Sequence, residues 1–389
     1  MSSTPAQARR YRWAILSAGV FAQAAFSAIL LGLPSIAPAI QEHYDLSLTQ
    51  VGIVLAAVNF GAILTMLLWG LVADRIGERT VIVIGQVGAA CALAAAGWTS
   101  SYGGVVAALA AAGLVGAGVN AASGRAVMGW FVAEERGLAL GIRQMSVPLG
   151  GAIAAGALPA LDRLSLRAAF LGLAAGCLAA AVVAGALIRV DPGDDHGELA
   201  RPLRDPRVWR LCTASTFYVA TQVSLVGFMV LFLHNARGVS TAAAAGALAA
   251  TQVLGGVARI VVGRWSDRLR ARIIPLRRIA VMLAVALGVA VVLLSAPVWL
   301  IVPVLVAAGT LGLAWNGLSF TAAAEAAGRL RSGAAIGLQQ TFLSAGGIVT
   351  PIAFAAIVHA ASWRLAFAFA AASPLVGYAL LSPLAERRP

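Results

Sequence analysis

Three arginines stand inside long apolar stretches of this chain: Arg125, Arg143 and Arg259. On insertion scales an arginine at the centre of a membrane-spanning helix costs about 2.5–3.5 kcal/mol, so each needs a reason to be there. What a buried guanidinium does best is hold a carboxylate. Its planar fork offers two parallel N–H donors, and it keeps its proton. Arg259 lies in Ala258-Arg259-Ile260-Val261-Val262-Gly263, and Arg143 is followed by Gln144. The Arg143-Gln144 pair is matched 196 residues later by Gln339-Gln340, which suits a polar lining shared by two halves. The competing readings are structural. Arg259 can snorkel or serve a gate, Arg143 can join a gate network through Glu134 or Glu135, and Arg125 can pair with Asp74 or Glu135.

Uncharged candidates lie in the same kind of stretch. They are Gln23, Asn59, Asn120, Tyr218, Gln222, Trp315 and Asn316. Tyr218 and Gln222 stand at i and i+4 and so share one helix face. Buried amides more often bridge helices, and aromatics more often pack, so each alone is a weak pointer. No Asp or Glu falls in the middle of any apolar stretch. Glu325, the nearest case, reads as an ion pair with Arg329 and Arg331. His43, His196, His234 and His359 fall in loops or at helix ends. Cys91, Cys177 and Cys212 have no spacing for a metal or a disulfide framework. No cofactor or metal is expected, and no nucleophile–base pair or phosphate loop points to an enzyme.

A second kind of chemistry sits in the turns. Gly70, Asp74, Arg75, Gly77 and Arg79 form a charged turn between two apolar runs, and a weaker copy, Gly263 to Arg268, follows 193 residues later with Asp267 and Arg268. Glycines there allow a tight turn and close helix approach. Asp74 suits a helix N-terminus, where the dipole favours an anion. With Arg125 and Glu325 these residues read as a gating set.

The elements that must position all this are membrane helices. Of 389 residues 60% are hydrophobic and 11% charged, with a mean hydropathy of +0.89. A soluble domain is about one quarter charged, so lipid is the solvent here. Twelve apolar stretches are long enough to span: 13–40, 49–72, 80–99, 103–129, 138–159, 167–189, 208–234, 241–263, 276–296, 298–324, 333–358 and 364–384. The fold class is therefore all-α, with twelve transmembrane helices in two pseudo-symmetric six-helix bundles. The domain reading is 1–190, a charged Pro/Gly-containing linker at 191–207, and 208–389. All 28 basic residues are arginine and the formal net charge is +13. Twenty-one arginines fall in segments on one side and four on the other, which places both termini in the cytoplasm and argues for a membrane surface rather than nucleic acid.

The halves repeat: Asn120…Gly141-Ile142-Arg143-Gln144…Gly150-Gly151 matches Asn316…Gly337-Leu338-Gln339-Gln340…Gly346-Gly347 at one offset. Such repeats mark secondary transporters. With the Gly70–Arg79 signature and Trp130-Phe131…Glu135-Arg136-Gly137, the chain resembles the major facilitator superfamily over nearly its whole length. That resemblance implies alternating access by rocking of two bundles, a cavity lined by the first, fourth, seventh and tenth helices, and a latch role for the signature. The stretch around Arg259 resembles the helix of monocarboxylate and oxalate:formate carriers whose Arg binds substrate carboxylate. The antiporter motif is only partial after Pro148, and Ala112 stands where proton-driven drug antiporters carry an Arg. Three buried arginines without a buried acid imply an anionic solute, carried by proton symport or anion exchange in a monomer of the bacterial inner membrane. The alternative is an exporter of neutral compounds.

Overall fold

The computed structural model describes residues 5–189 and 204–384. Among them twelve segments are long and apolar enough to cross a membrane, and they overlap all twelve stretches read from the sequence. The first joins α1 (Pro5–Gly32) to α2 (Ala37–Tyr44) through a 3-10 turn at Leu33–Ile36. Then come α3 (Leu48–Ile76) and α4 (Glu78–Trp98), a fourth span made of α5 (Tyr102–Gly116) and α6 (Gly118–Trp130), and α7 (Arg136–Asp162) and α8 (Leu166–Leu187). The second half repeats this plan. It runs α9 (Pro206–Leu231), α10 (Thr241–Leu269), α11 (Ile273–Val292), a divided span of α12 (Val298–Ala314) and α13 (Asn316–Ala327), then α14 (Ser332–Ala360) and α15 (Trp363–Leu381). The fourth and tenth spans both break within a turn ahead of the matched Asn120 and Asn316, at Ala117 and Trp315. Most of the linker read at 191–207, with His196, lies outside the described residues; Asp205 caps α9, accepting from the Arg207 amide at 2.8 Å.

Side-chain caps set several helix starts. Ser47 and Gln50 form a reciprocal capping box on α3, and Ser240 caps α10 at the matching place in the second half. Ser165 caps α8 and Ser362 caps α15 in the same relation. The narrow break between the ninth and tenth spans falls at Ala296-Pro297, where Pro297 precedes the first turn of α12.

The chain forms two compact units. One is Met1–Phe131, Arg143–Pro202 and Ala327–Leu338; the other is Val132–Ile142, Leu203–Ala326 and Gln339–Pro389. Each unit therefore keeps the first turns of a helix whose remainder counts with the other unit. The first unit's core gathers Phe26, Ile29, Leu33, Val54, Val58, Leu93, Leu109 and Phe170, all nearly or wholly shielded. The second unit's core is more aromatic, with Phe232, Phe354 and Phe367 among leucines and Met229. Phe367 stands edge-on to Phe232 and to Phe354, with ring centroids 5.3 Å apart in both pairs.

Candidate functional site

In the first unit the polar cluster is built around Arg143, which is fully buried on α7. Its Nε donates to Ser123 Oγ at 2.9 Å and its Nη1 to Gln144 Oε1 at 2.8 Å. Its Nη2 donates to Gln23 Oε1 at 3.3 Å and to both the carbonyl and the side-chain oxygen of Asn120. Gln23 comes from α1 and Asn120 and Ser123 from α6, so three spans converge on one guanidinium. All these acceptors are uncharged. Among the described residues no carboxylate pairs with Arg143, and Glu134 and Glu135 are not its partners.

The second unit holds the same frame without the charge. Gln339, also fully buried, takes the place of Arg143 on α14. Its Nε2 donates to Ser319 Oγ at 2.6 Å and to Ser215 Oγ at 3.1 Å, and the two hydroxyls lie 2.6 Å apart. Its Oε1 is buried without a hydrogen-bond partner. Ser319 is the counterpart of Ser123, and Asn316 that of Asn120, at the offset of 196. Asn316 donates to Gln222 Oε1 at 2.9 Å. Gln340 is half-buried at the next position. Arg259 is buried on α10 and donates from Nε to the Leu313 carbonyl at 2.9 Å.

Two expected lining residues are engaged elsewhere. Tyr218 donates to the Leu276 carbonyl at 2.9 Å and Trp315 to the Gly312 carbonyl at 2.8 Å, and their rings lie 5.4 Å apart. Their polar atoms are satisfied by backbone in a buried environment, which makes them packing residues of the second unit. Asn59, the weak amide candidate of α3, is exposed.

The charged turns form two networks, one in each unit. Asp74 accepts from the amides of Gly333 at 2.9 Å and Ala334 at 2.8 Å, the first turn of α14. Asp267 accepts from those of Gly137 at 3.0 Å and Leu138 at 2.7 Å, the first turn of α7. Each carboxylate satisfies two orphan donors and sits at the positive end of a helix dipole. Close approach is needed for this. A side chain at Gly70 would strike the Gly333 backbone. Gly77 ends α3 at φ 83° and ψ 159°, a region open essentially to glycine alone.

Behind each Asp stands an Arg–Glu pair of opposite sense. In the first unit Arg125, at the end of the fourth span, meets Asp74 at 3.4 Å and also pairs with Glu78 of the turn. In the second unit Glu325, at the end of the tenth span, accepts two bonds of 3.1 Å from Arg272 of the turn, while Arg272 also meets Asp267 at 2.6 Å. Glu325 thus pairs with Arg272, and with Arg136 at 3.9 Å, rather than with its sequence neighbours Arg329 and Arg331. Burial alone would lower the Arg272 pKa, but the hydrogen bonds and charges of Glu325 and Asp267 outweigh it and hold that pKa above the usual arginine value. Arg75, Arg79 and Arg268 are exposed. Arg272 escaped the sequence reading, yet the 193-residue step that carries Asp74 to Asp267 also carries Arg79 to Arg272. Ser123, Ser215 and Ser319 escaped it because a serine in an apolar helix commonly bonds its own backbone.

The sequence pattern of the Major Facilitator Superfamily matches residues 15–338. An uncharacterized MFS-type transporter of Mycobacterium tuberculosis strain H37Rv is 33% identical, over 97% of this chain and 87% of that protein. Among solved structures, the proton:xylose symporter XylE is similar at TM-score 0.78 and 13% identity, over 97% of this chain and 96% of that one. The transporter FucP in its outward conformation is similar at 0.74 and 17%, over 94% and 97%. The human organic anion transporter MFSD10 is similar at 0.75 and 15%, over 97% and 100%. At these identities the structures speak for the fold.

Proposed function

The chain belongs to the major facilitator superfamily, and we propose that the solute it moves is a small organic anion held by Arg143. It is a multi-pass secondary transporter, not an enzyme. The observation that carries the anion reading is an internal control. Position 339 does the same structural task as position 143, bonding a serine of the neighbouring span from a fully buried site, with a neutral amide. The frame therefore does not require a guanidinium. Burying one among neutral acceptors is costly, and an anionic ligand offsets that cost.

In this reading Gln23, Asn120 and Gln144 orient the Arg143 fork, and a carboxylate of monocarboxylate size takes an Nη1 hydrogen left over by Gln144. Arg259 is the second candidate ligand. The coupling is proton symport or anion exchange, and the two Asp-capped networks act as latches. The arginine bias supports a topology with both termini on the cytoplasmic side of a bacterial inner membrane.

The test is uptake into proteoliposomes of labelled small carboxylates, neutral solutes and lipophilic cations, with and without an inward proton gradient. Saturable carboxylate uptake, lost in Arg143→Gln, is the expected result, with Arg259→Gln assayed in parallel. Movement of neutral or cationic compounds alone, unaffected by Arg143→Gln, would overturn the anion reading and favour an exporter. Stimulation by the gradient separates symport from exchange.

A further inference from the structure

A groove between α11 and α15 in the second unit is not used by anything above. It encloses about 470 Å³ and is lined by Ile274, Arg277, Arg278, Val281, Met282 and Tyr378. On α11 these residues stand at i, i+3/i+4 and i+7/i+8, so they share one face. The face is graded. Two adjacent guanidiniums lie within the first turns of the span, and Val281 and Met282, one turn deeper, are exposed side chains of a membrane helix.

The basic end is partly preorganised. Arg277 Nη2 donates to Tyr378 Oη at 2.7 Å, and its guanidinium sits 4.5 Å from the Tyr378 ring centroid. Both contacts fix the fork, yet neither neutralises it. Its Nε is shielded from solvent and has no hydrogen-bond partner. Arg278 is exposed, with its guanidinium 5.8 Å from the Trp265 ring centroid. Among the described residues no carboxylate lines the groove, and neither arginine forms an ion pair. The corresponding groove of the first unit, between α4 and α8, differs in this respect. It carries its own acid, Glu78, already paired with Arg125.

We propose that the α11/α15 groove binds an anionic phospholipid, with its phosphate on Arg277 and Arg278 and an acyl chain along Val281 and Met282. The charge calls for a phosphate ester. The apolar continuation into the span calls for a lipid rather than a free ion. Two guanidiniums without an acid select an anionic headgroup over a zwitterionic one.

The experiment uses the full chain purified in neutral detergent. Binding of dioleoyl phosphatidylglycerol and dioleoyl phosphatidylcholine is titrated by native mass spectrometry, with inorganic phosphate as competitor. Preference for phosphatidylglycerol is expected, falling about 30-fold in Arg277→Gln/Arg278→Gln and about 5-fold in Arg278→Gln alone. Arg278 is exposed, so the single variant decides the matter if the double variant does not fold. Equal binding of the two lipids, or undiminished phosphatidylglycerol binding in Arg278→Gln, would overturn the site. Displacement of the lipid by millimolar phosphate would show a soluble-anion site and overturn the lipid assignment.

Discussion

Arg143 and Gln339 occupy the same slot in the two halves of one chain, and the halves answer it differently. Both side chains are fully buried, and both bond the serine three residues beyond the start of the matching motif, Ser123 or Ser319. Around Arg143 the acceptors multiply, with Gln23, Asn120 and Gln144 all turned to it. Among the described residues Gln339 bonds two hydroxyls, and its amide oxygen is left over. The frame is thus set by small polar residues and helix register, and only one of the two copies carries a charge in it. The turn networks teach the same lesson. Both cap a helix with an Asp, but the helix end supplies the Arg in one unit and the Glu in the other.

Six variants probe how far the two halves are equivalent, each read by thermal unfolding of the purified protein. Arg272→Glu should have the largest effect. It leaves buried Asp267 and half-buried Glu325 beside a third carboxylate, at about 3–5 kcal/mol. Arg272→Glu/Glu325→Arg should recover most of that loss, because it rebuilds in the second unit the polarity of the Arg125–Glu78 pair. A double variant no more stable than the single would mean that the two networks are not equivalent. Gln339→Arg should cost about 3 kcal/mol, since that slot lacks the acceptors that Arg143 has. A tolerated guanidinium there would remove the asymmetry.

Smaller effects follow at the caps. Asp74→Asn and Asp267→Asn should each cost about 2 kcal/mol and by similar amounts, each losing a carboxylate bonded to two amides and a nearby guanidinium. Unequal losses would show that one cap dominates. Gly77→Ala should cost about 1 kcal/mol from backbone strain alone, because a methyl there meets nothing within 4 Å. No measurable loss would show that the turn relaxes.

Much of this was legible in the sequence because membrane helices are written in hydropathy. Lipid leaves only helices and closed barrels to satisfy the backbone, and apolar runs of about 20 residues fit the helix, so run length gives the spans. The turn signature and its copy pointed to both capping Asp residues, since an Asp four residues after a Gly recurs at the same place in both halves. The partners were less legible. Glu325 looked tied to Arg329 and Arg331 by nearness in the chain, whereas Arg272 reaches it across 53 residues at 3.1 Å. Tyr218 and Trp315 looked like lining because residue type does not say where the polar tip goes; both found backbone carbonyls. The breaks at Ala117 and Trp315 left no mark either, since both residues keep helical dihedrals and neither is proline.

If the charge at position 143 serves an anion and not the fold, its removal weakens ligand binding without weakening the protein. The most direct measurement is equilibrium binding of a small carboxylate, by calorimetry, to the purified wild type and to Arg143→Gln, with the unfolding temperature of each recorded without ligand. An anion role gives saturable binding to the wild type, at least 10-fold weaker binding to the variant, and an unliganded variant as stable as the wild type or more so. A variant that binds the carboxylate undiminished, or that loses stability as a buried structural residue would, contradicts it.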